Sequence, residues 1–312
     1  MRCEKRKKWP SFDSPGISLR IAVMVAIVVA STLVLRFCGH LLIRANELGR
    51  NCFQLPPYDC KRRHFKIAMV TLSDDAESIP DRSFEGIMKM VEPNKRNYAY
   101  KHGYDFIDAT IVLDMQRPPS WSKVLAVRAF LPHYDWVFWN DADSLVTNPD
   151  IALEDILYSI AGNMEYERMP NFILTKDVTG VNAGMFFFRN SEWSMEFLDL
   201  WWNQTSFIRP FGESKSGDND ALKHLIKNMP VDEMKQNVYI PEMQCIFNSY
   251  LWTPSWKSSH RLMTLTRTVW KGTYSKGDFM VHLAGLDDKK KWIKKILRDL
   301  EVENALVKDK MM

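Results

Sequence analysis

The feature that most constrains this chain is the run from Ile17 to Leu35, in which Arg20 carries the only charge. Its core, Ile21–Leu35 (IAVMVAIVVASTLVL), is apolar apart from Ser31 and Thr32. At about 1.5 Å per residue, such a helix just covers a hydrocarbon core of about 30 Å, with Arg20 near enough to its edge to snorkel. Residues 1–20 hold six basic side chains (Arg2, Lys5, Arg6, Lys7, Lys8, Arg20) against Glu4 and Asp13, a surplus of four that accounts for the whole formal charge of +4. The positive-inside rule then places the N-terminus in the cytosol and everything past Arg36 on the far side. A cleaved signal peptide is the rival reading, but the region before the apolar core is long and Arg36-Phe37-Cys38 makes a poor cleavage site. The expected division is a cytosolic tail (1–16), a transmembrane signal anchor (17–35), a stem (36–64) around Pro56-Pro57, and a luminal domain (65–312). Two features suit an oxidising lumen: the acceptor triplet Asn203-Gln204-Thr205, and Cys52 and Cys60, close enough in sequence to pair and leave Cys245 single.

Beyond the anchor the charges balance, which argues against a nucleic-acid binder because that class needs a basic footprint on its folded part. Phe65–Leu72 reads as a buried strand, 83–102 as a helix stopped by Gly103, and 104–113 as a second strand. A helix over 121–131 precedes the aromatic strand Asp135–Asn140. A further helix starts near Ile151, strands follow at 172–175 and 183–188, and Asn190 or Ser191 caps a helix reaching Trp202. Alternating strands and helices, with mostly continuous apolar strands, predict an α/β domain with a largely parallel sheet. In such sheets ligands bind beyond the carboxyl ends of the strands.

The segment at that position after the aromatic strand is Asp141-Ala142-Asp143. Two carboxylates spaced i, i+2 in a turn can hold one hard divalent cation such as Mn²⁺ or Mg²⁺, whose shell substrate phosphates commonly complete. The plainer alternative is that one of them caps the next helix. His282, after the short strand 279–281 and before Gly285, is a candidate third ligand. Asp218-Asn219-Asp220 opens a helix, where Asp218 could cap or face a sugar, and Asn182-Ala183-Gly184 opens a buried strand at which glycine permits close approach. Lys289–Arg298 reads mainly as the wet face of a C-terminal helix packed through Trp292, Ile296 and Leu300.

Several segments, taken together, resemble the Golgi α-glycosyltransferases that include fungal galactosyl- and mannosyltransferases and plant xyloglucan xylosyltransferases. They are Asn97–Tyr104, Trp121-Ser122-Lys123, Asp135–Asp143, Thr147-Asn148, Asn182-Ala183-Gly184, Arg189–Ser194, Asp218–Leu222 and His282–Gly285. They occur in the family's order across roughly residues 65–290. The resemblance implies a GT-A fold, Rossmann-like with a mostly parallel sheet, and a metal-dependent, retaining transfer of galactose, xylose or mannose from a nucleotide sugar, UDP-linked ahead of GDP-linked. The acceptor would be a glycan or polysaccharide. The metal ligands would be Asp141, Asp143 and His282. Lys123, Asp141, Ser144, Gly184, Gly285 and Lys289 would contact the donor nucleotide, and Asn182, Asp218 and Asn219 would serve the sugar and its chemistry. The protein would be a Golgi membrane enzyme, single-pass with a luminal catalytic domain, alone or oligomeric with other transferases. The pattern departs from the family at Asn219, where Gln is common, and at Asp287-Asp288, which displaces an expected basic residue to Lys289. The competing readings are a catalytically silent luminal scaffold for another transferase and a metal-dependent phosphohydrolase.

Overall fold

The computed structural model describes residues 15–47, 52, 63–74, 84–162, 164–211, 213 and 215–311. The segment expected as a cytosolic tail, apart from its last two residues, and most of the segment between positions 48 and 62, Cys60 included, lie outside them. In chain order the elements are α1 (Pro15–Glu47), β1 (Ile67–Thr71), α2 (Ile87–His102), β2 (Asp105–Asp108), α3 (Ser122–Phe130), β3 (Trp136–Asn140), β4 (Ser144–Val146) and α4 (Leu153–Ala161). They continue with β5 (Phe172–Asp177), β6 (Gly180–Arg189), α5 (Glu192–Trp202), α6 (Asp218–Asn228), α7 (Val231–Asn237), β7 (Val238–Tyr239) and β8 (Ser249–Tyr250). The last are α8 (Trp256–Thr264), α9 (Thr266–Gly272), β9 (Met280–His282) and α10 (Lys289–Met311).

The main sheet has the order β2-β1-β3-β6-β5-β7, and every strand except β6 points the same way. This is the expected α/β arrangement with one exception, and the exception has a short-range cause. Only Val178 and Thr179 separate β5 from β6, far too few residues for a parallel crossover, and Gly180 takes a φ of +113° to start the return strand. Because β6 runs backwards, its beginning lies beside the carboxyl end of β3, with Asn140 opposite Met185. Asn182-Ala183-Gly184 therefore reach the rim where the two aspartates emerge.

Both faces of the sheet are covered. Trp139, Phe172, Phe186 and Phe188 pack on one side with Trp121 and Val124 of the α3 segment and with Phe197 and Trp201 of α5. Phe138 and Phe187 face the other way, against Ile156 of α4 and against Phe247 and Phe279. At about 25 cal/mol per Å², aromatic burial on this scale is the main source of cohesion. Local signals end the helices as expected: Gly103, at φ +74°, closes α2 by donating to Ala99 O and Tyr100 O, and the Ser191 hydroxyl accepts from Ser194 N to start α5. The strand expected over 104–113 is shorter, ending at Asp108. A small second sheet, β4-β9-β8, leans on α2 and α10 through Leu145, Val281, Ile87 and Ile293.

Two expectations are corrected. The segment expected to begin a stem at residue 36 instead continues α1 for about three turns, and its inward stripe of Cys38, Gly39, Leu42 and Ala45 is buried against the domain. Leu42 packs with Tyr250, Trp252 and Val269, while Ser275 Oγ donates to Ala45 O at 3.1 Å and Lys276 N to Asn46 O at 3.1 Å. The missing side chain of Gly39 admits Pro254, whose Cβ would lie 3.0 Å from an added methyl. Apolar surface on those turns gains more from docking than from exposure to water. The disulfide is Cys52–Cys245, with Cα atoms 5.9 Å apart across a separation of 193 residues, and not Cys52–Cys60. Pairing obeys spatial geometry, to which nearness in sequence is a poor guide.

Candidate active site

Strand β3 ends at Asn140, and Asp141 N donates to Gly184 O at 2.8 Å, tying the acidic turn to the start of β6. The chain turns at once into β4, whose Ser144 lies opposite His282 of β9 in an antiparallel ladder, and Leu283 N donates to Asp143 O at 2.9 Å. This small ladder delivers His282 from far down the chain to the two aspartates. Donor atoms of Asp141, Asp143 and His282 all lie within 4.8 Å of one another.

Each carboxylate is half committed. Asp141 Oδ1 accepts from Trp139 Nε1 at 2.9 Å and from Lys123 Nζ at 3.2 Å, while its Oδ2 faces His282 Nε2 at 3.9 Å. Asp143 Oδ2 is held by Lys289 Nζ at 2.9 Å, and its Oδ1 lies 3.3 Å from the same imidazole nitrogen. The histidine tautomer follows from its other neighbour. Asn248 Nδ2 donates to Thr175 Oγ1 and Asn182 Oδ1, so Asn248 Oδ1 is the atom that faces His282 Nδ1, at 3.0 Å. Nδ1 must therefore carry the hydrogen, and the lone pair of Nε2 points at two carboxylate oxygens. Three lone-pair donors facing one point need a positive charge between them. The O, O, N donor set suits a divalent cation of the Mn²⁺ class, so the residues fit the metal that the sequence implied.

Lysines set the electrostatics around this point. Burial pulls on Asp143 in the neutral direction, but the Lys289 ammonium outweighs it and holds the carboxyl well below its ordinary range. For Lys123 burial is outweighed by Asp141 and Asp218, which keep its ammonium charged, and its Nζ also donates to Ala183 O at 3.0 Å. Asp218 stays ionised in the same way: Lys123 and the hydroxyls of Ser216 and Ser120 overcome its burial. Its helix is capped by Gly217, at φ +95°, which frees Asp218 to face inward. Lys95 of α2 is fully buried beneath the turn and donates to Asp141 O at 3.0 Å. Burial lowers its pKa to about 7, even though Asp143, Asp141 and Asp108 push it upward.

A cavity of about 360 Å³ brings together Lys123, Asp141, Asp143, Asn182, Gly184, Asp218, Asn219, His282, Gly285 and Lys289. Ten of the eleven residues singled out from the sequence thus share one wall. Ser144 is the exception: it is fully buried, and its hydroxyl closes the turn onto Asp141 O at 2.6 Å. Asn219 Oδ1 accepts from Ala183 N at 2.8 Å, and Lys289 is buried with its ammonium also donating to Leu283 O and Leu286 O. Gly184 is obligatory in space, since an added Cβ would stand 2.3 Å from His282 Cε1. A second groove, of about 590 Å³, shares Asn182, Ala284 and Gly285 with this cavity and is floored by Asp177, Tyr250, Trp252 and Trp292. Sequence reasoning missed Lys95, which sits in an amphipathic helix and looks like surface, and Asn248, which no motif marks.

Comparison with known proteins gives the same reading of these segments. The family model of the galactosyl transferase GMA12/MNN10 family matches residues 63–162 and 158–292. Galactomannan galactosyltransferase 1 of Cyamopsis tetragonoloba is 29% identical over 174 residues, covering 50% of this chain and 40% of that one. An uncharacterized alpha-1,2-galactosyltransferase of Schizosaccharomyces pombe is 25% identical over 253 residues, covering 70% of this chain and 61% of its own. The chain thus spans between 40% and 61% of the length of these two relatives. A solved glycosyltransferase involved in glycosylation of the major capsid of PBCV-1 superposes with a TM-score of 0.48 at 13% identity, covering 75% of this chain and 99% of that one. With the family model spanning almost all of the α/β domain and its matched segments converging on one cavity, the chain belongs to the galactosyl transferase GMA12/MNN10 family.

Proposed function

We propose that this protein is a metal-dependent, retaining glycosyltransferase that moves a hexose or pentose from a nucleotide sugar to a glycan acceptor. Galactose, xylose or mannose is the transferred sugar, and UDP its carrier ahead of GDP. In this reading α1 anchors it as a single-pass protein of the Golgi membrane, with the α/β domain in the lumen. The observation that carries the reading is the convergence of Asp141 Oδ2, Asp143 Oδ1 and the bare His282 Nε2 on one point, with Lys123 and Lys289 immediately behind.

Bound there, Mn²⁺ or Mg²⁺ would supply Lewis-acid stabilisation to the diphosphate leaving group. The chain's own residues do the rest. Lys123 bridges Asp141 and Asp218 through one ammonium and helps keep Asp218 ionised, so it ties the acidic turn to the start of α6. Lys289 neutralises Asp143 and stands at the cavity wall, where a diphosphate oxygen can take the place of one of its carbonyl partners. Three aspartates against these two lysines sum to −1, so a divalent cation leaves +1, which an anionic donor offsets; metal and donor should bind cooperatively. Asp218 has Oδ1 taken by two hydroxyls and Oδ2 by Lys123, which suits holding sugar hydroxyls rather than attacking carbon, and supports front-face displacement with retention. The second groove, floored by two tryptophans and meeting the cavity at Asn182 and Gly285, suits an acceptor sugar.

The test is nucleoside diphosphate release by the full chain in detergent, with a panel of UDP- and GDP-sugars, with Mn²⁺ and with chelator. Asp141→Asn is the control, because Asp141 is partly exposed and its loss strands no buried lysine without a partner. Metal-dependent release from one donor, lost in the control, is expected. No release from any donor, with no nucleotide binding by calorimetry, would leave the scaffold reading.

A further inference from the structure

Helix α8 packs Leu262 against the cluster that holds Leu42 and Tyr250, yet it leaves large apolar side chains on its outer face. Its buried positions are Ser258 and Ser259, while Trp256 and Met263 are 65% and 51% exposed, followed by Leu265 at 40%. A helix lying on a water-exposed domain turns its apolar side inward. The level of α8 is fixed by α1, against which it packs. Pro254, two residues before α8, fits against Gly39, three residues past Arg36, the first charge after the apolar run. At about 1.5 Å per residue this puts Pro254 roughly 5 Å beyond the hydrocarbon edge. That is the headgroup zone, where tryptophan concentrates and neighbouring polar groups such as Lys257 and His260 find partners. Upstream, the apolar part of α1 is almost wholly exposed, with 6% of its most apolar window buried by protein.

We propose that the outer face of α8, through Trp256 and Met263, inserts into the headgroup region of the bilayer that α1 crosses, seating the catalytic domain on the membrane. The proposal rests on α1 crossing that bilayer, and the occupant of the face is the phospholipid interface itself. The inner side of α8 contributes Ser258 and Arg261 to the groove next to the donor cavity, so that groove opens at membrane level and favours an acceptor carried on the membrane.

The test is photocrosslinking of the full chain in phosphatidylcholine vesicles that contain a clickable phosphatidylcholine. Benzoylphenylalanine replaces Trp256 or Met263 in separate proteins, with Val29 in mid-α1 and the exposed Val231 on α7 as references. Lipid adducts at 256 and 263 approaching those at 29, and at least fivefold above those at 231, are expected. Adducts at 29 with 263 no higher than 231 would overturn the seat while keeping the anchor. Crosslinks from 263 to a second copy or another protein, without lipid, would overturn it too. Absence of lipid adducts at 29 would remove the anchor and the seat together.

Discussion

Replacing Gly184 by alanine tests whether His282 is a metal ligand without touching any charged group. The added Cβ would lie 2.3 Å from His282 Cε1, 3.1 Å from its Nδ1 and 2.9 Å from Asn182 Oδ1, where ordinary contact begins near 3.4 Å. The ring must therefore retreat by about 1.1 Å. It has little freedom to do so, since Nδ1 is held by Asn248, Tyr250 stands edge-on at 5.4 Å, and the ladder to Ser144 fixes its backbone. The backbone at Gly184 is not in the left-handed region, so the cost is one of packing alone. Overpacking of this kind costs about 1–3 kcal/mol, tolerable against a typical total of about 5–15. A ligand displaced by an ångström loses far more in function: metal affinity should fall about 10–100-fold and turnover about 100-fold. Titration calorimetry of Mn²⁺ into the full chain with saturating UDP reads the first, and donor turnover the second. In a His282→Ala background the glycine change should lose most of its effect on Mn²⁺ affinity, because only the 2.9 Å approach to Asn182 Oδ1 remains. Mn²⁺ affinity within twofold of the parent in Gly184→Ala would refute the assignment of His282.

Asp143→Ala should abolish turnover, and it should also destabilise the fold by about 3–5 kcal/mol by stranding buried Lys289, an effect visible in a urea midpoint that Asp141→Asn leaves nearly in place. Lys95 has a folded pKa of about 7 against 10.5 when exposed, so between these values the folded chain has lost a proton that the unfolded chain keeps. Stability in chelator should accordingly rise with pH, by up to about 2–3 kcal/mol from pH 7 to 9, and stay flat below 7; urea unfolding of Lys95→Met should lack that rise, and an identical rise in the variant would contradict it. Cys52→Ser opens a loop of 193 residues and should cost about 2–5 kcal/mol, with added reductant lowering the parent's midpoint equally and leaving the variant's unchanged.

The cluster of Asp141, Asp143 and His282 was legible because its members carry their chemistry in their type: two aspartates in a turn after an aromatic strand, and a histidine before a glycine turn. The resemblance supplied the order that joined them, which periodicity alone does not. What stayed hidden is what depends on three-dimensional partners. Lys95 has the spacing of any helical lysine, and only the packing of α2 over the acidic turn buries it. Asn248 matters because its amide donates to Thr175 and Asn182 and so leaves its oxygen for His282, a relation with no trace in spacing. The direction of β6 was implicit in the two residues that separate it from β5, yet the expected strands stopped short of the turn at both ends. Helix α1 was read as far as its hydropathy extends, and the turns after Arg36 are helical because the domain gives Leu42 and Ala45 somewhere to go.

The small sheet also sets a timetable. Its order places β9 in the middle, between β4 and β8, so the strand made last must thread between two made earlier. In chain order β1, β3 with the aspartate turn after it, and the β5–β6 hairpin all precede β9. The histidine arrives only when β9 enters, and Lys289 follows it in the same movement. A half-made chain thus carries the two aspartates without the histidine that completes the cluster. The cluster of Asp141, Asp143 and His282 is therefore complete only once the strand at the centre of the small sheet is in place.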